Sequence, residues 1–242
     1  MATTALAGLE LHYQPIVSLG TGGREGVEGL LRRRMPTGAV AGAGEVLAQV
    51  EAAGEMAALW EWTLATAASA AATAFAAERV WVNLSAAQLT AATADALGAT
   101  LERCGVGPER IGVEVVETAF YDDELLARQV GAMAGMGVAV HLDDFGTGVC
   151  NLAMIEALPV AGIKLDRRLV GLLDHPARSG RMERVLRAVV GMAHDLGLVV
   201  VGEGVERPRQ AEALAGLGCD LAQGYLFGRP APAGQGQTAT AP

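Results

Sequence analysis

Short apolar runs alternate along the chain with longer Ala- and Leu-rich stretches of helical spacing. The runs at residues 12–17, 26–31, 80–84, 111–116, 138–142, 162–165 and 198–201, with a last short one near Tyr225, have the length and content of strands. The stretches at 44–77, 87–104, 122–136, 180–196 and 208–217, and a weaker one from 154 onward, predict helices. Such alternation is that of βαβ units around a parallel sheet. Eight strands predict closure into a barrel rather than an open sheet. The first two are joined by Gly20-Thr21-Gly22-Gly23, too short for a parallel crossover. The expected fold is therefore a (β/α)8, TIM-like barrel with one antiparallel strand near the N-terminus.

Glycines punctuate the helical stretches as C-terminal caps would: Gly135 and Gly137, Gly197, Gly216 and Gly218. The barrel domain is expected over residues 1–232. Residues 233–242, rich in Gly, Gln, Thr and Ala, read as a disordered tail.

Composition refines this picture. Apolar residues make up 51% of the chain but aromatics only 4%, so Ala, Val and Leu must fill the core. The net charge of −9 argues against binding DNA or RNA, which calls for a basic face. It does not exclude an anionic ligand, because carboxylates that hold metal ions present positive charge once loaded. Cys104, Cys150 and Cys219 are scattered and odd in number, which fits a reducing cytoplasm and no disulfide framework. No leader and no long uninterrupted apolar segment occurs, so no membrane contact is expected from this chain.

The chemistry is carried by polar residues inside, or just after, the apolar runs: Glu28, Asn83, Glu114, Asp143 and Asp144, Lys164 and Asp166, Glu203, and Gln223. Singly, each has an ordinary reading as an edge acid, a turn residue or a surface ion pair. As a set they do not, because an unpaired buried charge costs several kcal/mol even after relaxation. In a barrel these strand ends converge on the C-terminal rim, where catalytic groups sit. Carboxylates plus one amide, without His or Cys, select hard cations such as Mg²⁺ or Mn²⁺. Two such ions would suit in-line phosphodiester hydrolysis, with Lys164 steadying the attacking hydroxide or the phosphate. His12, His141, His175 and His194 have no metal-ligand spacing, and His141 is expected to pack under the rim.

Eight ordered motifs give this set a family likeness. They are Tyr13-Gln14-Pro15-Ile16-Val17, Glu28-Gly29-Leu30-Leu31-Arg32, Asn83-Leu84-Ser85, Glu114-Val115-Val116-Glu117, Asp143-Asp144-Phe145-Gly146-Thr147-Gly148, Ile163-Lys164-Leu165-Asp166, Glu203-Gly204-Val205-Glu206, and the run from Gln223 to Pro230. Together they resemble the EAL-domain family of cyclic-di-GMP phosphodiesterases. The resemblance implies cleavage of cyclic di-GMP to linear pGpG with two divalent metal ions, and a homodimer. It implies that Glu28, Asn83, Glu114 and Asp143 hold one metal and that Asp143, Asp144 and Glu203 surround the second. It gives Lys164 the contact to the nucleophilic water, with Glu203 assisting as a base. Gln14, Arg32 and Gln223 match substrate- and water-contacting positions, and Glu117 matches the glutamate that holds the loop after the fifth strand.

The chain departs from the family pattern at Gly29, Val116, Val149-Cys150-Asn151, Gly202 and Arg33. None of these removes a matched metal ligand or the lysine. The loop changes motivate an alternative, a weakly active or inactive cyclic-di-GMP receptor that signals to a partner protein. A partner-binding protein indifferent to the nucleotide is disfavoured by Gln14, Arg32 and Gln223.

Overall fold

The structure is a computed structural model and describes residues 4–116, 123–146 and 152–235. Its centre is the barrel expected from the alternation of apolar runs. The strands are β1 (Leu9–Ser18), β2 (Arg24–Arg34), β3 (Val40–Ala41), β4 (Arg79–Leu84), β5 (Ile111–Val116), β6 (Ala139–Phe145), β7 (Gly162–Leu165), β8 (Val199–Gly202) and β9 (Leu221–Gln223). From β2 the wall runs in parallel through β4, β5, β6, β7 and β8 to β9. β1 closes it, antiparallel to both β2 and β9. The two-residue β3 is a flap on β2 outside the ring. The odd strand is thus β1, and the glycine turn after it is the hairpin to β2.

The helices follow the expected rhythm with instructive breaks. The stretch expected at 44–77 is two helices, α1 (Ala43–Ala52) and α2 (Met56–Ala72). Gly54 separates them at φ +70°. Its N–H donates to the Glu51 carbonyl and that of Glu55 to the Val50 carbonyl, a Schellman stop. Helix α2 lays Leu59, Trp60, Thr63, Leu64, Ala67 and Ala71 inward at helical spacing. Its exit is held by Arg110, whose guanidinium donates to the carbonyls of Ala71, Phe75, Ala76 and Glu78. The remaining helices are α3 (Thr93–Cys104), α4 (Asp123–Gly135), α5 (Leu152–Ala157), α6 (Arg167–Gly171), α7 (Ser179–Asp195) and α8 (Pro208–Leu217). Of the glycines expected as caps, Gly137, Gly197 and Gly218 adopt the left-handed conformation, whereas Gly135 and Gly216 lie inside the last helical turns.

Two layers of core result. The larger lies between the strands' outer faces and the helices, where Val82, Leu84, Val113, Val115, Ile163, Leu165 and Val200 meet residues such as Leu64, Leu97 and Leu186. The smaller is inside the barrel, around Ile16, Trp81 and Val201. The chain stays attached to the barrel through Ala231, which exchanges backbone hydrogen bonds with Tyr13. Most of the tail expected at 233–242 lies outside the described residues, as do Glu117 and the segment Val149-Cys150-Asn151.

Candidate active site

Alternation along a strand places every second side chain inside the barrel. At the C-terminal rim the inward positions are Glu28 on β2, Asn83 on β4, Glu114 on β5, Asp143 on β6 and Lys164 on β7. Glu203 follows β8 directly, and its N–H continues the ladder to the Leu165 carbonyl at 3.0 Å. Gln223 ends β9 rather than beginning a later strand near Tyr225. Gln14 on β1 pairs in register with Glu28. The eight barrel strands therefore each deliver one polar group to one place.

The cluster is organised around Lys164, the only lysine in the sequence and fully buried. Its Nζ lies 2.6 Å from Glu203 Oε1, 2.7 Å from Glu114 Oε2, and 3.5 Å from both Glu28 Oε2 and Asp143 Oδ1. Glu28 is fixed further by Asn83 Nδ2, which donates at 2.6 Å, and by Gln223 Nε2, also at 2.6 Å. Gln223 Nε2 also donates to Gln14 Oε1 at 3.1 Å, and Gln14 Nε2 donates to the Gly228 carbonyl at 3.0 Å.

Four carboxylates face one ammonium, and their ionisation divides accordingly. Burial pushes Glu28 up, but the Lys164 charge and the amide donors Asn83 and Gln223 outweigh it and hold the carboxyl ionised. Glu114 is held well above the usual range by burial and by the neighbouring Glu28 charge. Glu203 is pushed up to about 8, first by burial and then by Asp143 and Glu28, against the pull of Lys164. Burial disfavours the Lys164 cation, yet the surrounding acids together raise its pKa well above the ordinary lysine value.

Asp143 and Asp144 are sequence neighbours, which in a regular strand would face opposite sides. A bulge resolves this. β6 pairs Leu142 with Ile163 and then Phe145 with Leu165, one residue more than its partner uses. Asp144 takes up the excess at φ +56°, the only left-handed residue other than glycine among those described, and Asp is one of the residues that tolerates it. Its N–H donates to Asp143 Oδ1 at 2.8 Å. As a result one carboxylate oxygen from each of Asp143, Asp144 and Glu203 lies within 4.8 Å of the others. Burial and the Asp143 charge push Asp144 upward as well.

Divalent metal ions fit this arrangement. The donors are oxygen throughout, acid outnumbers base, and two buried oxygens, Glu114 Oε1 and Gln223 Oε1, have no hydrogen-bond donor. Such a shell suits a hard cation. Above it opens a cavity of about 660 Å³. Leu11, Leu31, Leu47 and Leu59 give it an apolar wall, and Arg167, Arg168 and Tyr225 also line it. The Arg229 guanidinium covers the half-exposed Tyr225 ring at 4.1 Å.

Other expected residues behave differently. Arg32 does not line this cavity; it bonds to the Leu31 carbonyl at 2.8 Å. Asp166 is not paired with Lys164, because β7 ends at Leu165 and strand alternation stops there. It caps α6 instead, accepting from the backbone N–H and from Nε of Arg168, both at 2.8 Å. His141 does pack under the rim, with burial, Lys164 and Arg79 pushing its imidazole down to about 3. Arg167 belongs to none of the sequence motifs, although it directly follows Asp166, and Tyr225 lies inside the last motif with no role expected of it.

Comparison with known proteins agrees with the geometry. The chain is 37% identical to the cyclic di-GMP phosphodiesterase NbdA of Pseudomonas aeruginosa over 230 residues, 93% of this chain and 29% of that protein. It is 35% identical to the bifunctional diguanylate cyclase/cyclic di-GMP phosphodiesterase MucR of the same organism over 240 residues, 94% of this chain and 34% of that protein. The chain thus spans about a third of the length of these curated relatives. Among solved structures it superposes on the PaMucR phosphodiesterase in complex with c-di-GMP at a TM-score of 0.86, with 35% identity and 94% of each chain covered. A manganese/cy-diGMP complex of Klebsiella pneumoniae BlrP1 matches at a TM-score of 0.81 and 28% identity, over 93% of this chain and 56% of that one. The family profile for the EAL domain matches residues 2–230, and with these relatives it establishes that the chain belongs to the EAL-domain family.

Proposed function

We propose that this chain hydrolyses cyclic di-GMP to linear pGpG with the help of two divalent metal ions, Mg²⁺ or Mn²⁺. The observation that carries the reading is the convergence of Glu28, Glu114, Asp143 and Glu203 on the single lysine, with Asn83 bonded to Glu28 and Asp144 beside Asp143 and Glu203, under a cavity wide enough for a nucleotide. Relatives named as cyclic di-GMP phosphodiesterases support the substrate.

In this reading Glu28, Asn83, Glu114 and Asp143 hold one ion, and Asp143, Asp144 and Glu203 the other. When bound, the pair supplies Lewis-acid polarisation of the phosphodiester and a nucleophile at neutral pH. The chain's own groups do the rest. Lys164 keeps its ammonium charged and donates hydrogen bonds toward the attacking oxygen and the phosphate. Glu203 accepts the proton that water gives up as its oxygen bonds to phosphorus. The phosphorus–O3′ bond breaks, the departing O3′ takes a proton from solvent water, and the phosphate stays on the 5′ oxygen. Gln14 and Gln223 orient substrate and water beside Glu28, while the apolar wall and Tyr225 receive the bases. Arg32 requires a side-chain turn from the Leu31 carbonyl to reach the ligand.

The test is turnover of cyclic di-GMP by the purified chain with Mn²⁺, with Mg²⁺ and with chelator. Metal-dependent appearance of pGpG is expected, and Glu28→Ala or Lys164→Ala should each lower it by about 100-fold or more. Full turnover in either variant would refute the site. Tight nucleotide binding without turnover would move the chain to the receptor reading. Sedimentation of the same preparation reads the homodimer that the family resemblance implies.

A further inference from the structure

Two stacked rings plug the barrel beneath the carboxylates. The ring centroids of Trp81 and His141 are 3.9 Å apart, with 33° between their planes. Each occupies the inward position just below a rim residue, Trp81 below Asn83 and His141 below Asp143. The strands around them carry glycine at that level, and the hollow is what admits the rings. A Cβ on Gly112 would stand 2.2 Å from the Trp81 ring, and one on Gly162 would stand 2.8 Å from His141 Nε2. Gly162 is in turn the inward position directly below Lys164 on β7, so the His141 ring lies against β7 one inward position below the lysine. On the far side of the pair the Arg79 guanidinium sits 5.4 Å from the Trp81 ring centroid.

A lysine stem is flexible, and an ammonium held away from water moves toward any anion within reach. The four carboxylates within 3.5 Å of Nζ are all at the rim. The floor offers two aromatic rings, with Ile16 and Val201 packed against Trp81, and no carboxylate among the described residues. We propose that the Trp81–His141 pair, seated in the hollow of Gly112 and Gly162, is a positioning floor that keeps the Lys164 stem extended and its Nζ at the rim. This inference rests on the hydrolytic reading above. Trp81 and His141 are positioning residues in it and touch no reacting atom.

Because Lys164 is the only lysine, protein labelled with ¹⁵N-lysine gives a single side-chain ammonium signal, readable without metal or substrate. Trp81→Ala and His141→Ala open the floor. Trp81→Phe keeps a ring in place, and Trp81→Ala with Gly112→Leu refills the hollow from the adjacent strand. In the open variants the ammonium signal is expected to shift and exchange faster. Their kcat with Mn²⁺ and cyclic di-GMP should fall roughly 10- to 100-fold, as for a catalytic group displaced by about 1 Å, with KM little changed. Trp81→Phe and the refilled variant should recover both readouts. An unchanged ammonium signal together with wild-type kcat in folded Trp81→Ala or His141→Ala would overturn the floor. If the unsubstituted chain shows no turnover, the hydrolytic reading fails instead, and the ammonium signal alone still decides the floor.

Discussion

Lys164 Nζ and Glu203 Oε1 stand 2.6 Å apart across β7 and the end of β8, the shortest of the four contacts the lysine makes. The pair is close, yet Glu203 keeps its proton to about pH 8, because burial and the Asp143 and Glu28 charges outweigh the ammonium. The sign of the linkage follows. An exposed Glu in the unfolded chain ionises near 4.5, so between about 4.5 and 8 the folded state binds more protons than the unfolded one. Metal-free stability should therefore fall as pH rises through that window. A metal ion needs the ionised carboxylate, so binding should release protons below pH 8. Calorimetric Mn²⁺ titrations are expected to show affinity rising between pH 6 and 8 by up to about tenfold per pH unit for each proton released. An affinity flat between pH 6 and 8 would contradict this account of Glu203.

The same burial isolates the lysine amine from reagents. A fully buried, ion-paired ammonium with a raised pKa is a poor nucleophile. With an amine-acylating reagent at pH 8, intact-mass analysis should show Lys164 unmodified in the folded chain and modified once the chain is unfolded in denaturant. A lysine-containing peptide added to both reactions serves as the reactivity control. Rapid acylation of Lys164 in the folded chain would mean that the rim opens far more than its packing indicates.

Much of this architecture was legible in the sequence because the strands of a parallel barrel are buried on their outer face and filled on their inner one. Runs such as 80–84 and 111–116 therefore stand out as apolar, and Asn83 and Glu114 stand out within them. What stayed hidden depends on pairing between distant segments. The bulge that turns Asp143 and Asp144 to the same rim exists only relative to Ile163 and Leu165. The aromatic floor needs Gly112 and Gly162 beside Trp81 and His141, residues far apart in sequence. The division of 44–77 into two helices turned on Gly54, one glycine among many. Asp166 leaves the face of Lys164 because β7 ends at Leu165 and α6 begins at Arg167, a boundary that the run 162–165 does not announce.

Two glycines beside site residues should respond oppositely to a single methyl group. A Cβ on Gly224, next to Gln223, would fall 2.0 Å from the Val205 carbonyl oxygen and 2.2 Å from its backbone nitrogen. Both are main-chain atoms that also hold Gly224 in place, since Val205 N–H donates to the Gln223 carbonyl and the Val205 carbonyl accepts from Leu226 N–H. Neither can move without breaking the connection that aims Gln223 at Glu28. A Cβ on Gly29, next to Glu28, would instead meet Leu11 Cδ1 at 3.3 Å, the Trp81 carbonyl at 3.4 Å and the Tyr13 ring at 3.6 Å. The Leu11 methyl can yield by a few tenths of an ångström. Chemical denaturation should therefore show Gly224→Ala losing about 3 kcal/mol or more, with metal-dependent turnover falling alongside. Gly29→Ala should stay within roughly 1 kcal/mol of the parent, helped by the loss of unfolded-state entropy that replacing glycine brings. A Gly224→Ala protein as stable as the parent would show that the β9 turn does not press on Val205 as the structure has it.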